Sequence, residues 1–249
     1  MIISHKYKFI FVKTAKTAGT SIEIFLDRYC DSGDVFTPFS RQELNHQPRN
    51  YEGYFNPIPE IYKNLNIFDS TNNQNIWRTF HELYNKNKFH CHIPAWLIRA
   101  RTPKNIWNNY YKFCVERNPW EKIISGWHWY NKKYKSPIGL DEYIDFCEKR
   151  VKQKIRGVGV CPYNFLNYTD PITENILVDK IIRYENLEEE FFSTLKMLDM
   201  KTDGKLNVFA KFNVGAKVSY GNFYNVNQRK RIEKIFNKEI NLRGYKFYE

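Results

Sequence analysis

The sequence predicts an α/β protein with three layers, a mostly parallel central sheet carrying helices on both faces. Three observations carry that expectation. A short β-branched or aromatic run, a polar turn and an amphipathic helix follow one another three times along the chain. Each of these helices opens on residues that suit an N-terminus. Strands alternating with helices are joined by crossovers, which place them in parallel, bury both sheet faces and bring ligand-binding loops to the C-terminal strand ends.

In the first unit, residues 7–12 read as a strand and Lys13 to Gly19 as a loop. The helix that follows carries Ile22, Phe25, Leu26 and Tyr29 at helical spacing, with Thr20 and Glu23 as a capping box. The second unit has a strand at 112–115, then Asn118 as N-cap, Pro119 at the first helical position and Glu121 as capping glutamate. Ile123, Ile124, Trp127 and Tyr130 continue that helix, and Ser125 lies nearly two turns in, on a different side from Ile123. The third unit has a strand at 176–182, a cap from Asn186 with Glu189, and a helix through Leu187, Phe191, Leu195 and Leu198. A fourth helix, about 227–241, carries Ile232, Ile235, Phe236 and Ile240 and stops at Gly244. Between about 31 and 106 the periodicity weakens and Pro, Asn and aromatic residues accumulate, which predicts a long irregular insertion of the kind used for binding or as a lid.

A chain of 249 residues that is 42% hydrophobic can bury one substantial core, so residues 1–249 read as a single domain. The net charge of +12 favours an anionic partner: nucleic acid, a membrane surface, an acidic polymer or a phosphorylated cofactor. The densest basic cluster, Arg229-Lys230-Arg231, sits inside a helical pattern and reads as a solvated face. Five cysteines without a C-x-x-C pair fit reduced thiols. The apolar run at the N-terminus is interrupted by His5, Lys6 and Lys8, and no segment approaches the length of a membrane span. A cytoplasmic chain, neither exported nor anchored, is the expectation.

The loop Lys13-Thr14-Ala15-Lys16-Thr17-Ala18-Gly19-Thr20-Ser21 leaves a strand and enters a helix. Backbone N–H groups, a positive dipole end, a lysine and hydroxyls therefore surround one point, which makes an anion cradle. The lysine precedes the glycine and the chain holds no G-x-x-x-x-G-K-[ST], so this is not the phosphate loop of nucleoside triphosphatases. A merely solvated connection would also be rich in Lys and Thr. A second anion motif follows, Arg117-Asn118-Pro119-Trp120-Glu121-Lys122-Ile123-Ile124-Ser125, with Arg117 at a strand end and Ser125 on the next helix. A guanidinium offers a planar fork suited to phosphate, and the serine adds a donor. Taken singly, an ion-pair arginine and a helix-packing serine are the ordinary alternatives.

Together the two segments resemble the sulfotransferases that use 3′-phosphoadenosine 5′-phosphosulfate (PAPS), in the branch holding glycan O-sulfotransferases and many bacterial relatives. The resemblance implies a fold like that of the P-loop nucleoside triphosphatases. It implies 5′-phosphosulfate contacts from Lys16, Thr17, Ala18, Gly19, Thr20 and Ser21, and 3′-phosphate contacts from Arg117 and Ser125. His92-Ile93-Pro94-Ala95, Arg183-Tyr184-Glu185-Asn186-Leu187 and Gly244-Tyr245-Lys246-Phe247 extend it more weakly. The sequence departs at Lys13-Thr14-Ala15, where relatives often carry His-Ile-Pro, and at Glu116, where many are apolar.

The implied reaction moves a sulfuryl group to an acceptor hydroxyl, on a carbohydrate or glycoconjugate, and leaves 3′,5′-bisphosphoadenosine (PAP). No metal is required, no nucleic acid or membrane partner is expected, and the region 31–106 would set the acceptor. Lys16 stabilises charge at the bridging and sulfuryl oxygens, aided by the Thr17, Thr20 and Ser21 hydroxyls. His92 is the candidate general base, by its place in glycan-modifying relatives and its unperturbed pKa. A structural histidine is the alternative. So is half a metal site from His90-Cys91-His92, since a strand would turn both histidines the same way. Lys211, Lys217 and Tyr220 lie in a stretch able to close over the nucleotide, with Lys217 the candidate contact, or to stand as a solvated loop. Arg183 either orients the site or packs against Glu185 or Glu189. A nucleotide-dependent kinase would share the cradle but needs a lysine after the glycine and carboxylates for magnesium, and neither arrangement is present. A non-catalytic nucleic-acid-binding protein would use the charge and the aromatics, with no special need for Lys16.

Overall fold

A computed structural model of the chain describes residues 1–39, 46–65, 71–134, 136–153, 160–206 and 223–247. It opens with β1 (Ile2–Ser4) and β2 (Phe9–Phe11), an antiparallel hairpin pairing Ile3 with Ile10. Helix α1 (Gly19–Asp27) leads to β3 (Val35–Phe36), which lies antiparallel beside β1. Helices α2 (Ile58–Leu65), α3 (Thr71–Tyr84), α4 (Ala95–Arg101) and α5 (Lys104–Asn109) precede β4 (Tyr111–Glu116). Helices α6 (Pro119–Lys133), α7 (Leu140–Lys152) and α8 (Phe165–Tyr168) precede β5 (Lys180–Arg183). A 3-10 turn at Tyr184–Asn186 opens into α9 (Leu187–Met197), and α10 (Val226–Ile235) and α11 (Asn237–Arg243) follow.

The strand order is β3-β1-β2-β4-β5, with β2, β4 and β5 parallel. Side chains alternate across the pleat, so each strand feeds two cores. Phe9, Phe11, Phe113, Val115 and Ile182 turn to one face, where Ile22, Phe25 and Leu26 of α1 meet Phe191 and Leu195 of α9. Ile3, Ile10, Val12, Cys114 and Ile181 turn to the other, covered by Trp96 and Ile98 of α4, Trp120 and Ile123 of α6, Tyr143 and Ile144 of α7, and Ile232 and Ile235 of α10. Fully burying each such side chain stabilises by roughly 1.5–3 kcal/mol, which is what holds helices on both faces.

Several local expectations are corrected. The strand expected at 7–12 is confined to Phe9–Phe11, and its hairpin partner β1 was not foreseen. The strand expected at 176–182 is Lys180–Arg183, while Ile176 makes an isolated bridge to Thr169. The fourth helix divides at Phe236 into α10 and α11. The described residues of 31–106 include an edge strand and helices, where an irregular stretch was expected, and Arg101 makes ion pairs to Glu60 on α2 (2.6 Å) and Glu82 on α3 (2.8 Å). The capping box of Thr20 with Glu23 is absent. Ala18 is the N-cap, without a side-chain bond, because Glu23 is buried against Lys13 and the Met1 amino group. Asn186 likewise makes no side-chain cap.

Candidate functional site

The loop between β2 and α1 is held to the end of β4. The Val12 amide donates to the Phe113 carbonyl at 2.9 Å, and the Thr14 hydroxyl donates to the Val115 carbonyl. Lys16 (φ 64) and Ala18 (φ 59) both take the left-handed backbone region that non-glycine residues rarely enter, at a cost of roughly 1–2 kcal/mol each. Alternation of that kind folds successive N–H groups into a concave nest, and the first N–H groups of α1 have no acceptor within the helix. The first helical bond is Ile22 N–H to the Ala18 carbonyl, at 3.1 Å. Lys16, Ala18 and Thr20 stay half-exposed, while Thr17 and Gly19 are buried. The loop thus fits an anion through its amides, its helix end and Lys16.

The threonine hydroxyls of the loop bond to each other and to β4. The Thr14 hydroxyl hydrogen is committed to Val115, so the Thr17 hydroxyl, 2.7 Å away, donates its own hydrogen inward to Thr14. The Thr17 hydroxyl is turned inward here, toward Thr14. Gly19 has a packing reason to be glycine: a Cβ there would lie 2.7 Å from Cγ of Lys13, which crosses the helix start to reach Glu23.

Arg117 directly follows β4, and its guanidinium lies 4.3 Å over the Tyr184 ring while donating to Glu121 at 2.9 and 3.1 Å. Glu121 was expected to cap α6. It pairs with Arg117 instead, and the Asn118 amide donates to Glu185 at 2.6 Å. Asn118 does cap the helix, accepting from the Trp120 amide at 3.1 Å. Glu121, Ser125 and Trp129 lie one turn apart along one side of α6, with His128 beside them. Lys16 Nζ reaches this line from the loop, 5.9 Å from the Trp129 ring, and burial together with the Lys16 charge lowers the His128 pKa. One helix face therefore links Arg117, Ser125 and Lys16.

Beneath this face lies a buried charge cluster. Lys122 donates to Glu116 (2.5 Å) and Glu239 (2.6 Å), all three side chains inaccessible to solvent. Burial, then the neighbouring Glu116 carboxylate, pushes the Glu239 pKa up to about 8, while its oxygens accept from Lys122 and from the Asn164 and Phe165 amides. Burial alone would lower Lys122, but the two acids outweigh it and raise its pKa. Asn164, 1% exposed, joins the cluster to the loop at Ala15. Asn164, Glu239 and His128 were not singled out from sequence, and Lys122 entered only as a member of the second anion motif. Asn164 follows Pro162-Tyr163 with the look of an ordinary helix cap, and nothing local marks the others.

His92 sits at the base of the loop, its Nδ1 3.2 Å from the Lys13 carbonyl. Burial, then the positive charges of Lys13 and the Met1 amino group, lowers its pKa to about 3, so it is neutral at pH 7 and a weak base. His90 and His92 do not share a strand face. His90 reaches Arg78 (3.0 Å) and Glu82 (3.4 Å) on α3, away from the Lys13 carbonyl. Among the described residues no three His, Cys, Asp or Glu side chains converge on a metal-sized site, and no helix is long and apolar enough to cross a membrane. The Arg183 side chain meets neither Glu185 nor Glu189; it donates to the Arg243 carbonyl at the end of α11. Lys211, Lys217 and Tyr220 lie outside the described residues.

No protein-family model matches the chain. An uncharacterised protein of Archaeoglobus fulgidus is 33% identical over 124 residues, which span 49% of this chain and 96% of that protein, and the two chains belong to one family. Among solved structures, a sulfotransferase from Alicyclobacillus acidocaldarius aligns over 91% of this chain and 94% of its own, at 14% identity and a TM-score of 0.38. A match that loose establishes neither a common fold nor a common activity.

Proposed function

We propose that this chain is a PAPS-dependent sulfotransferase, acting as one domain over residues 1–249, with the 5′-phosphosulfate at the Lys16 loop and the 3′-phosphate at Arg117 and Ser125. The observation that carries the reading is a switch point in the sheet. Strands β2 and β4 are adjacent and parallel, yet α1 leaves β2 for one face and α6 leaves β4 for the other. A crevice opens at such a point, outside the carboxyl ends of the strands, and ligands bind there. Here its walls are the two anion motifs. The P-loop-like character of the fold belongs to this proposal, supported by the nest before α1.

PAPS would supply an activated sulfuryl group. The sulfuryl passes to the acceptor oxygen, PAP leaves, and the acceptor proton goes to a base. The Lys16 ammonium and the loop amides stabilise the charge that develops on the leaving phosphate. Arg117 exchanges Glu121 for the 3′-phosphate, and Ser125, one turn beyond Glu121, adds a hydroxyl. A carbohydrate acceptor is supported by an exposed aromatic stripe in the 31–106 region: Trp77 (74% exposed), Phe80 and Tyr84 on α3, with the exposed Tyr54 ring 5.9 Å from the Lys86 ammonium just past that helix. Five free thiols support a reducing, cytoplasmic setting.

Calorimetry with PAPS and PAP at physiological salt tests the reading. Wild type is expected to bind both, and Lys16→Ala and Arg117→Ala each to weaken PAP by about 10- to 100-fold, the worth of a charge-assisted contact. A folded wild type that ignores both nucleotides and instead binds single-stranded nucleic acid with a steep salt dependence removes the sulfotransferase reading.

A further inference from the structure

We infer that Asn164 is a positioning residue for the Lys16 loop. The inference rests on the nucleotide reading above. The Asn164 amide clasps Ala15 from both sides: Oδ1 accepts from the Ala15 N–H at 2.8 Å and Nδ2 donates to the Ala15 carbonyl at 3.1 Å. That carbonyl belongs to the peptide group joining Ala15 to Lys16, so the clasp sets the plane from which Lys16 enters its left-handed turn. The second Nδ2 hydrogen goes to Glu116 at 3.2 Å, and Glu116 also accepts from the Arg117 amide at 3.0 Å. Asn164 is itself fixed from behind, because Glu239 accepts from the amides of Asn164 (2.5 Å) and Phe165 (2.8 Å). One buried side chain therefore ties the residue before Lys16 to the residue before Arg117.

Only a short primary amide does this. A carboxylate lacks both donors and would stand beside Glu116, and a glutamine is one methylene longer than the span from the Asn164 backbone to Ala15. Asn164 touches neither motif's anion directly. Its effect passes through the loop, to the 5′ end of the nucleotide; at the 3′-phosphate end Glu116 keeps Lys122 and the Arg117 amide as partners without it.

That asymmetry separates positioning from general structural support. Wild type, Asn164→Ala and Asn164→Ser are compared for binding of PAP and of adenosine 3′-monophosphate, which lacks the 5′ phosphate, by displacement calorimetry, with thermal melts to confirm folding. PAP affinity is expected to fall about tenfold or more in both variants while the monophosphate binds as in wild type. Should Asn164→Ala fail to fold, Asn164→Ser decides, since its hydroxyl is small enough to fit the same space. Unchanged PAP affinity, or equal loss of both ligands, overturns the inference while wild-type PAP binding keeps the nucleotide reading. A wild type that binds neither ligand overturns both.

Discussion

Lys16 and Ala18 hold left-handed backbone that glycine would adopt freely, and Gly19, the one glycine of the loop, is needed for space rather than for its backbone angle. Gly19→Ala should push Lys13 off Glu23 and cost about 1–3 kcal/mol, read as a lowered melting temperature. His92 is the residue whose chemistry depends most on its surroundings. Burial and the Lys13 charge hold it at about 3, so it is neutral from about pH 5 to about pH 8. If His92 takes the acceptor proton, kcat is flat across that range and His92→Gln lowers kcat without changing the KM for PAPS. An acid limb inside the range, abolished by His128→Gln, would move the proton to His128.

Helix starts show how far local pattern reaches. Asn118 caps α6 as its sequence context suggested, since its side chain needs only the Trp120 amide two residues on and Pro119 is preset for the first helical position. The same kind of pattern failed at Thr20 with Glu23, because a buried lysine drew the glutamate away from the helix end. At α10 a full capping box stands unforeseen, with Gln228 accepting from the Asn225 amide (3.1 Å) and Asn225 from the Gln228 amide (2.9 Å). Asn225→Ala should cost about 1 kcal/mol, measured as a shift in the urea midpoint at constant slope. The hairpin of β1 and β2 was missed for want of a turn signal. His5 to Lys8 contain no Gly, Asn or Asp, and Lys8 itself takes a φ of 53.

At the scale of the molecule, two buried groups on opposite sides of neutrality shape stability against pH. The folded Glu239 pKa, about 8, lies above its ordinary 4.5, so its contribution is present in acid and is lost as pH rises toward 8. The folded His92 pKa, about 3, lies below its ordinary 6.5, so its contribution is present at alkaline pH and is lost as pH falls through that interval. The melting temperature should therefore peak between the two. Glu239→Gln should shift the peak to higher pH and His92→Gln to lower pH, as followed by calorimetric melts. A profile that neither substitution moves would remove both assignments.

The alternation of strand, turn and helix, the two anion motifs, the place of β4 and the start of α6 were legible in the sequence. Each rests on residues within one or two turns of one another, where periodicity and capping act. The tertiary structure alone decided that α1 and α6 leave adjacent strands for opposite faces, that Glu121 takes the Arg117 fork, and that Glu23 and Glu239 turn inward onto buried lysines rather than face solvent. Asn164 reaches Ala15 across 149 residues. Which polar groups meet inside a core depends on how distant segments pack, because a buried donor or acceptor must find its partner wherever the fold brings one, and no local pattern records that meeting.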